Sequence, residues 1–548
     1  MHNLFFFLHQ YRLSLIWLCL LVLTFFIYLP SNNSLLIDDG IAGLVDFEKQ
    51  GYSGFINSFN FPSLYYMHDI AMLLIYAIVG KSSFGWFMIM IFMHFINASL
   101  AYILFKSLYT AFSIKYAKHI ALAGAALFLL SPYQTENVLW AATIHYSIAL
   151  TFLLVSCLII LRQLNNNKLT FCSVLLISLL HIAAITSLEI ALVFPAIYFV
   201  IAVFVLRIGK NVITVWQFCL KILLPLTLIT ILYFTFTAVL KGMLIPHYGS
   251  EHIANLSYAN YIINTAKHTL KLFSYAHFAN YQWREIAYTF CERWKVISLL
   301  LFLLATVGGV TVYYRFKKNG IALYVLLLLC AFILLFPVLN MYFMYLFTPE
   351  NDRLSYFYSL FLYQLLAIVF ISASWRWGIG IILLFGCVGI FFLIQTVNKW
   401  HEAGAVHTNL INSFAWGNQP KVYVLNQPNN YKGVYEFRTN RRLSRALFFF
   451  KGIEIGDSIT HVLSSAQANL HDSTQVSILN DSTLQVDFVS KGGWLMHERV
   501  GASNYSTPEY SVTVDPWKPS YQVVFHNKRK DAAYIYATDN VFKKLEGF

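Results

Sequence analysis

Long apolar runs separated by short polar breaks fill the first 400 residues, and the pattern changes sharply after them. A bilayer-crossing helix needs roughly 20 mostly apolar residues. On that measure the pattern predicts eleven spans, near 13–30, 84–107, 119–133, 139–161, 169–186, 189–207, 214–239, 295–314, 321–338, 354–373 and 377–397. The stretch 169–207 is too long for one crossing, so two short helices are expected to meet near Thr186–Glu189. The first run is long, lacks a small-residue cleavage site and is followed by ten more, which predicts a retained anchor rather than a signal peptide. Past residue 400 the chain reads as short strands bounded by turn residues: Val422–Leu425, Gly433–Phe437, Thr483–Phe488, Tyr510–Val514, Tyr521–Phe525 and Ala533–Ala537. The expected architecture is an all-α polytopic membrane domain over 1–397 and a C-terminal extracytoplasmic β-rich domain over 398–548. No internal repeat or low-complexity segment interrupts it.

Composition agrees with the pattern. The 548 residues are 58% hydrophobic, 17% aromatic and 11% charged, and mean hydropathy is +0.61. Soluble domains carry roughly 25% charged residues, so a soluble enzyme, a disordered chain and a disulfide scaffold are excluded. The seven cysteines form no CxxC or metal-ligand spacing.

The net charge of +13 is not a nucleic-acid footprint, because of where it lies. Residues 1–400 hold 23 Lys and Arg against 12 Asp and Glu, and residues 401–548 hold 15 against 13. One set of inter-span loops collects Arg12, Lys106, Lys115, Lys118, Arg162, Lys168, Arg207, Lys210, Arg315, Lys317, Lys318 and Arg376. By the positive-inside rule that face is cytoplasmic, which puts the N-terminus inside and the tail outside, in an inner (cytoplasmic) membrane with a periplasmic domain. All twelve acidic residues before position 400 fall on the opposite face. Acidic residues contribute little to orientation, so their sorting points to a polar, reactive outer surface.

That surface carries the candidate chemistry. Asp38 and Asp39 lie just beyond the first span, where adjacent carboxylates suit a general base or a divalent cation such as Mg2+ or Mn2+; a solvated turn is the competing reading. In the same loop, 41–58 and 62–79 are expected to lie as helices along the interface. Loop 240–294 brings Lys267, His268, Lys271, His277 and Arg284 in similar amphipathic stretches. Glu189 sits between two apolar helices, where an ionisable group is costly and is a functional hypothesis by default. Arg353 follows Glu350, Asn351 and Asp352 at the mouth of the tenth span, and its planar fork suits phosphate; an interfacial anchor is the alternative. Glu136 and His145 flank the fourth span on the outside. His94 and Asn97 are expected to be helix-packing groups. There is no P-loop, GxSxG or HExxH motif.

In chain order, these segments resemble the GT-C superfamily of polytopic glycosyltransferases that use lipid-phosphate-linked sugars, most closely its protein-O-mannosyltransferase-like and transmembrane-tetratricopeptide branch. The likeness rests on Asp38-Asp39, on Asn60-Phe61-Pro62-Ser63-Leu64-Tyr65-Tyr66, and on residues 93–108 with His94 and Asn97. It continues through 131–150 with Pro132, Thr135 and Glu136, 187–195 with Glu189 and Pro195, and 350–360 with Glu350 and Arg353. It covers about residues 1–400. Ser187-Leu188 stands where that family has Ser-Lys, Leu354 where it has Tyr, and the tail has no tetratricopeptide helices.

The resemblance implies an enzyme that moves a sugar, with inversion, from a polyprenyl-phosphate donor to an acceptor hydroxyl on the outer face. The acceptor class, whether glycan, lipid or protein, stays open. Asp38 or Asp39 would be the base, Arg353 would neutralise the phosphate, and Glu350, Glu189, Glu136 and His145 would line the pocket. A divalent ion at the Asp pair is compatible but not required. The rival classes are a transporter or flippase of a lipid-linked intermediate and a non-catalytic membrane scaffold. Transporters usually carry internal repeats, which are absent here, and a scaffold has no need of the Asp pair.

Overall fold

The structure is a computed structural model that describes residues 2–33, 41–58, 65–208, 212–242, 257–274, 281–339, 351–437, 440–497 and 500–548. Its first part is helical: α1 (His2–Tyr28), α2 (Ala42–Ser58), α3 (Tyr66–Val79), α4 (Ser83–Ala111), α5 (Ala117–Leu129), α6 (Thr135–Leu139), α7 (Ile144–Asn165), α8 (Phe171–Ile185) and α9 (Phe194–Ile208). Then come α10 (Val215–Phe218), α11 (Leu224–Lys241), α12 (Tyr258–Ser274), α13 (Tyr281–Cys291), α14 (Trp294–Leu335), α15 (Tyr356–Ala373) and α16 (Trp375–Ser413).

Among the described residues, eight helical segments are long and apolar enough to cross a membrane, so the chain is a multi-pass membrane protein. Every predicted apolar run falls on a helix. Two of them, 119–133 and 169–186, form helices of only 13 and 15 residues. Runs 295–314 and 321–338 share α14, which breaks at Lys317 with φ +56°. Its arms fold back on each other: Tyr324 donates to the Ala305 carbonyl at 2.8 Å. Gly308 and Gly309 make that approach possible, because a Cβ at Gly308 would stand 2.7 Å from the Tyr324 hydroxyl.

Polar side chains join helices inside the bundle, where lipid supplies no competing partner. His94 Nδ1 lies 3.0 Å from the Tyr356 hydroxyl, linking α4 to α15. Asn97 donates to the Ser147 carbonyl at 2.9 Å, linking α4 to α7. Both residues thus have the packing role expected of them. Tyr109 donates to Gln364 Oε1 at 2.9 Å, and Gly124 leaves room for that amide.

Helix α16 continues past residue 397 without a break to Ser413. The C-terminal part then adds one helix, α17 (Asn440–Lys451), and two sheets. Sheet A has the order β12-β11-β1-β3-β6-β7, with β2 also paired to β1. Its strands are β1 (Lys421–Tyr431), β2 (Val434–Tyr435), β3 (Ile459–Gln467), β6 (Trp494–His497), β7 (Val500–Gly501), β11 (Ala532–Thr538) and β12 (Val541–Lys544). Sheet B is antiparallel, β4-β5-β10-β9-β8, from β4 (Ser473–Asn480), β5 (Thr483–Val489), β8 (Tyr505–Ser506), β9 (Tyr510–Val514) and β10 (Ser520–Phe525).

β1 pairs in parallel with both β3 and β11 and is buried on both faces, as parallel strands usually are. Val422 and Val424 join the core that also contains Val406 and Leu410 of α16 and Leu447 of α17. Tyr423 and Leu425, one step out of phase, meet Val486, Val523 and Phe525 of sheet B. The result is three layers, helices on sheet A on sheet B.

The same core runs on into the helical bundle. Polar contacts reinforce the join. Lys49 of α2 pairs with Glu454 at 2.8 Å, Lys81 pairs with Glu48 at 2.9 Å and donates to the Phe449 carbonyl, and Trp140 lies 5.1 Å from Tyr435, centroid to centroid.

Candidate functional site

The bundle end that meets the C-terminal domain gathers most of the buried charge. The turn before α15 brings Asp352 and Arg353 inward, after Asn351 adopts a left-handed φ of +69°. Glu136, on the short helix α6, is 1% exposed and accepts twice from Arg353. The Arg353 main-chain N–H donates at 2.7 Å, and its guanidinium donates to the other carboxylate oxygen. Arg353 also lies over the Trp140 ring, 5.3 Å from its centroid.

Beside this pair, Lys271 of α12 forms an ion pair with Asp352, both side chains fully buried. Lys271 also stands over the Tyr133 ring at 5.7 Å, and Lys399 of α16 adds a third positive field at Asp352. Among the described residues this group sets three cations against two carboxylates. Burying an ion pair costs desolvation that mutual attraction often only offsets, which makes such a cluster in a membrane protein a candidate functional site.

α12 is held down by the same polar face. Asn264 donates to the Leu339 carbonyl at 2.6 Å, Lys267 meets Glu292 at 2.5 Å, and Thr269 and Tyr358 share a hydrogen bond of 2.7 Å. His268 Nδ1 lies 2.7 Å from the Ser355 hydroxyl. Burial, and then the Lys271 charge, push the His268 imidazole down to about 3, so it is neutral at pH 7.

An apolar groove opens in the side of the bundle. It has a volume of about 410 Å3 and lies between α1, α5, α15 and α16, walled by residues such as Leu20, Ala123, Leu127, Ile382 and Gly386. Its polar lining is His119, near the start of α5, and, just past the end of α5, Ser131 and Tyr363, which share a hydrogen bond of 2.7 Å. Tyr133, under Lys271, is two residues beyond Ser131. Phe273, two residues beyond Lys271, lies 6.4 Å from Phe385 in the groove wall.

A second cluster lies at the junction of α3, α7 and the 189–193 turn. Glu189 is 7% exposed and accepts from the Tyr65 hydroxyl at 2.9 Å. The His145 ring lies 5.9 Å from Tyr65 and 4.9 Å from His68. His68 Nδ1 in turn lies 3.0 Å from Asp69 Oδ1. Met67 N–H donates to the Thr186 carbonyl at 3.1 Å, which fixes the first turn of α3 against this junction.

The structure therefore brings Glu136 and Arg353 together, and Glu189 beside the ring system that includes His145. Asp38, Asp39 and Glu350 lie outside the described residues, as does His277. Among the described residues no group of three or more His, Cys, Asp or Glu is arranged to hold a metal ion. Sequence reasoning singled out neither Lys271 nor Asp352 as a site residue. The available signal was a lysine embedded in Leu270-Lys271-Leu272-Phe273, an apolar setting that a solvated face does not need. His68 and Asp69 carry no sequence signal beyond adjacency.

No family model matches the chain, and no curated protein matches it.

Proposed function

We propose that the chain is an integral-membrane glycosyltransferase of the GT-C type that uses a polyprenyl-phosphate sugar on its outer face. The observation that carries the reading is an apolar groove, lined in part by Ser131 and Tyr363, in the same bundle as the buried charges Lys271, Asp352, Arg353 and Glu136, with Tyr133, two residues past Ser131, lying under Lys271. A lipid phosphate has matching chemistry, an apolar tail with a small anionic head. The tail would lie along α1, α5 and α16, and the head would be met by the guanidinium of Arg353 and the ammonium of Lys271. Phosphate is then the leaving group, and fixed cations stabilise the charge that develops on it. In the scheme implied by the resemblance, Asp38 and Asp39 face the sugar from the first loop.

The same proposal includes eleven spans, a cytoplasmic N-terminus and a C-terminal domain in the periplasm of a cell with an inner membrane. The twelve basic residues on one set of loops support that orientation. A reporter fused after Phe548 should be active only outside the cytoplasm; activity inside would remove the proposed topology.

The direct test of activity uses the purified full chain in nanodiscs with undecaprenyl phosphate carrying a radiolabelled hexose. Label should leave the lipid, to an added alcohol or to water, at a rate that scales with protein. If a panel of such donors retains its label, the glycosyltransferase reading fails. Label that instead moves across a sealed bilayer, still lipid-linked, identifies a flippase.

A further inference from the structure

We propose that the C-terminal domain stands on the bilayer through a second footing besides α16. That footing is the hairpin tip around Trp517, which seats in the lipid headgroup layer on the domain's own side of the membrane. It does not depend on the transferase reading, since a transporter or a scaffold would use it equally.

Helix α16 sets the level of the domain above the bilayer. Between Arg376 and Lys399 it has 22 residues, Trp377 to Asn398, and no charge. At 1.5 Å per residue that is about 33 Å, the thickness of a hydrocarbon core. Lys399 therefore marks where hydrocarbon ends, and Glu402 lies three residues on, about 4.5 Å farther. The end of β1 meets the helix at Glu402, through Tyr431 at 2.6 Å and Lys432 at 3.0 Å. Tyr435, on the strand paired to that end of β1, lies against Trp140 of the bundle. The C-terminal end of β1 is thus the membrane-facing end of sheet A, at headgroup depth.

Strand register carries this level across the domain. Tyr431 pairs with Gln467 of β3, and the neighbouring Ala466 pairs with Trp494 of β6. β5 ends at Val489, four residues before β6 begins at Trp494, so Val489 lies at the same end. In sheet B, Asp487 pairs with Ser520 and Tyr521 with Val514. That register sends the 515–519 turn between β9 and β10 towards the membrane as well. The Phe488 N–H fastens the turn by donating to the Pro519 carbonyl at 2.9 Å. Sheet B is the layer farthest from α16, and Trp517 is 90% exposed, so no described residue covers the tip.

This end presents the chemistry of a membrane interface. Trp517 is joined by Val489 and Trp494, which are 50% and 44% exposed. Tryptophan suits the headgroup layer because its ring leaves water while its N–H keeps polar partners. Lys491 and Lys518 are exposed beside these residues. Their stems can lie along apolar surface while their ammonium groups reach lipid phosphate. The tip is also preformed. Asp515 Oδ1 accepts from the main-chain N–H groups of Trp517 at 2.8 Å and Lys518 at 3.2 Å. Pro516 and Pro519 restrict the backbone on either side. Little ordering is left to lose on insertion. A glycan or a soluble partner would have to reach Trp517 at a depth that headgroups already occupy.

The test uses the full chain in nanodiscs of palmitoyl-oleoyl phosphatidylcholine, with photoreactive p-benzoylphenylalanine replacing Trp517 in one sample and Leu479 in another. Leu479 is the control, 51% exposed at the opposite end of β4. Irradiation should give a lipid adduct at 517, seen by mass spectrometry, and none above background at 479. No lipid adduct at 517, an adduct there to protein instead, or equal lipid adducts at both positions overturns the inference. A second measurement needs no unnatural residue. In nanodiscs of phosphatidylcholine brominated high on its acyl chains, the parent should lose more tryptophan emission than Trp517→Ser, whose exposed position leaves the fold intact. Equal losses overturn the footing.

Discussion

Glu136 holds Arg353 at both ends of the residue, by the main-chain N–H at 2.7 Å and by the guanidinium. The carboxylate therefore shapes the turn that starts α15 as well as neutralising a charge. Glu136→Gln should destabilise the protein by roughly 3–5 kcal/mol, the usual result of removing one partner from a buried pair. Arg353→Lys should fold better than Arg353→Ala but use a phosphate donor less well than the parent, because the planar fork is lost. Thermal unfolding in detergent and donor turnover check the two statements separately. Parental stability for Glu136→Gln would contradict the first, and parental turnover for Arg353→Lys the second.

Lys271 and Asp352 should behave as a unit. Lys271→Gln leaves a buried carboxylate with less compensation and should unfold at markedly lower temperature. The double variant Lys271→Gln/Asp352→Asn keeps the shapes and removes both charges, so it should recover most of the lost stability. Its preference for undecaprenyl phosphate over undecaprenol should nevertheless collapse. A double variant no more stable than the single one would show that the pair is not coupled.

The groove can be blocked from inside. A Cβ at Gly386 would meet only Leu127, at 3.7 Å, so a large side chain there would project into open space. Gly386→Trp should fold and lose binding of polyprenyl phosphates. Gly378 is the control, since its Cβ would collide with the Phe370 main chain; Gly378→Ala should harm folding instead. Full polyprenyl phosphate binding by Gly386→Trp would remove the groove from the donor path.

Acid should loosen α12. Docked, His268 titrates at about 3; released into water it returns to the ordinary value near 6.5. The undocked form therefore binds a proton that the docked form refuses, and docking weakens as pH falls from 6.5 towards 3. Hydrogen exchange over residues 258–274, corrected for intrinsic rates, should show protection lost through that window. His268→Asn should reduce the loss. A pH-independent protection of α12 in the parent would refute the argument.

The helices were legible in the sequence because hydropathy is a local property: each apolar run needs only its own residues to be seen. The charge clusters were legible only as members. Glu136 and Arg353 are 217 positions apart, and nothing in either segment names the other. Lys271 was visible as part of an amphipathic stretch, yet its partner Asp352 lies in a different loop. In the tail, five of the six stretches read as strands fall on strands, and the sixth, Gly433–Phe437, is strand only at Val434–Tyr435. β3, with Thr460, Ser464 and Ser465, and β4, ending in exposed Ile478 and Leu479, break the alternation that makes a strand readable. α17 has three arginines among its first six residues, Arg441, Arg442 and Arg445, which dilute the apolar periodicity of its sequence. It is placed by contact with sheet A and α2 rather than by its own pattern.

Helix α16 runs 39 residues, about 58 Å at 1.5 Å per residue. Its lower half, from Ile379 to Ile390, walls the groove. Its upper half carries Glu402, which accepts from Tyr431 at 2.6 Å and from Lys432 at 3.0 Å in the C-terminal domain. With no hinge between them, groove wall and domain mount are one lever. A ligand that tilts the C-terminal domain must also change the width of the groove, and a molecule that fills the groove must also move the domain.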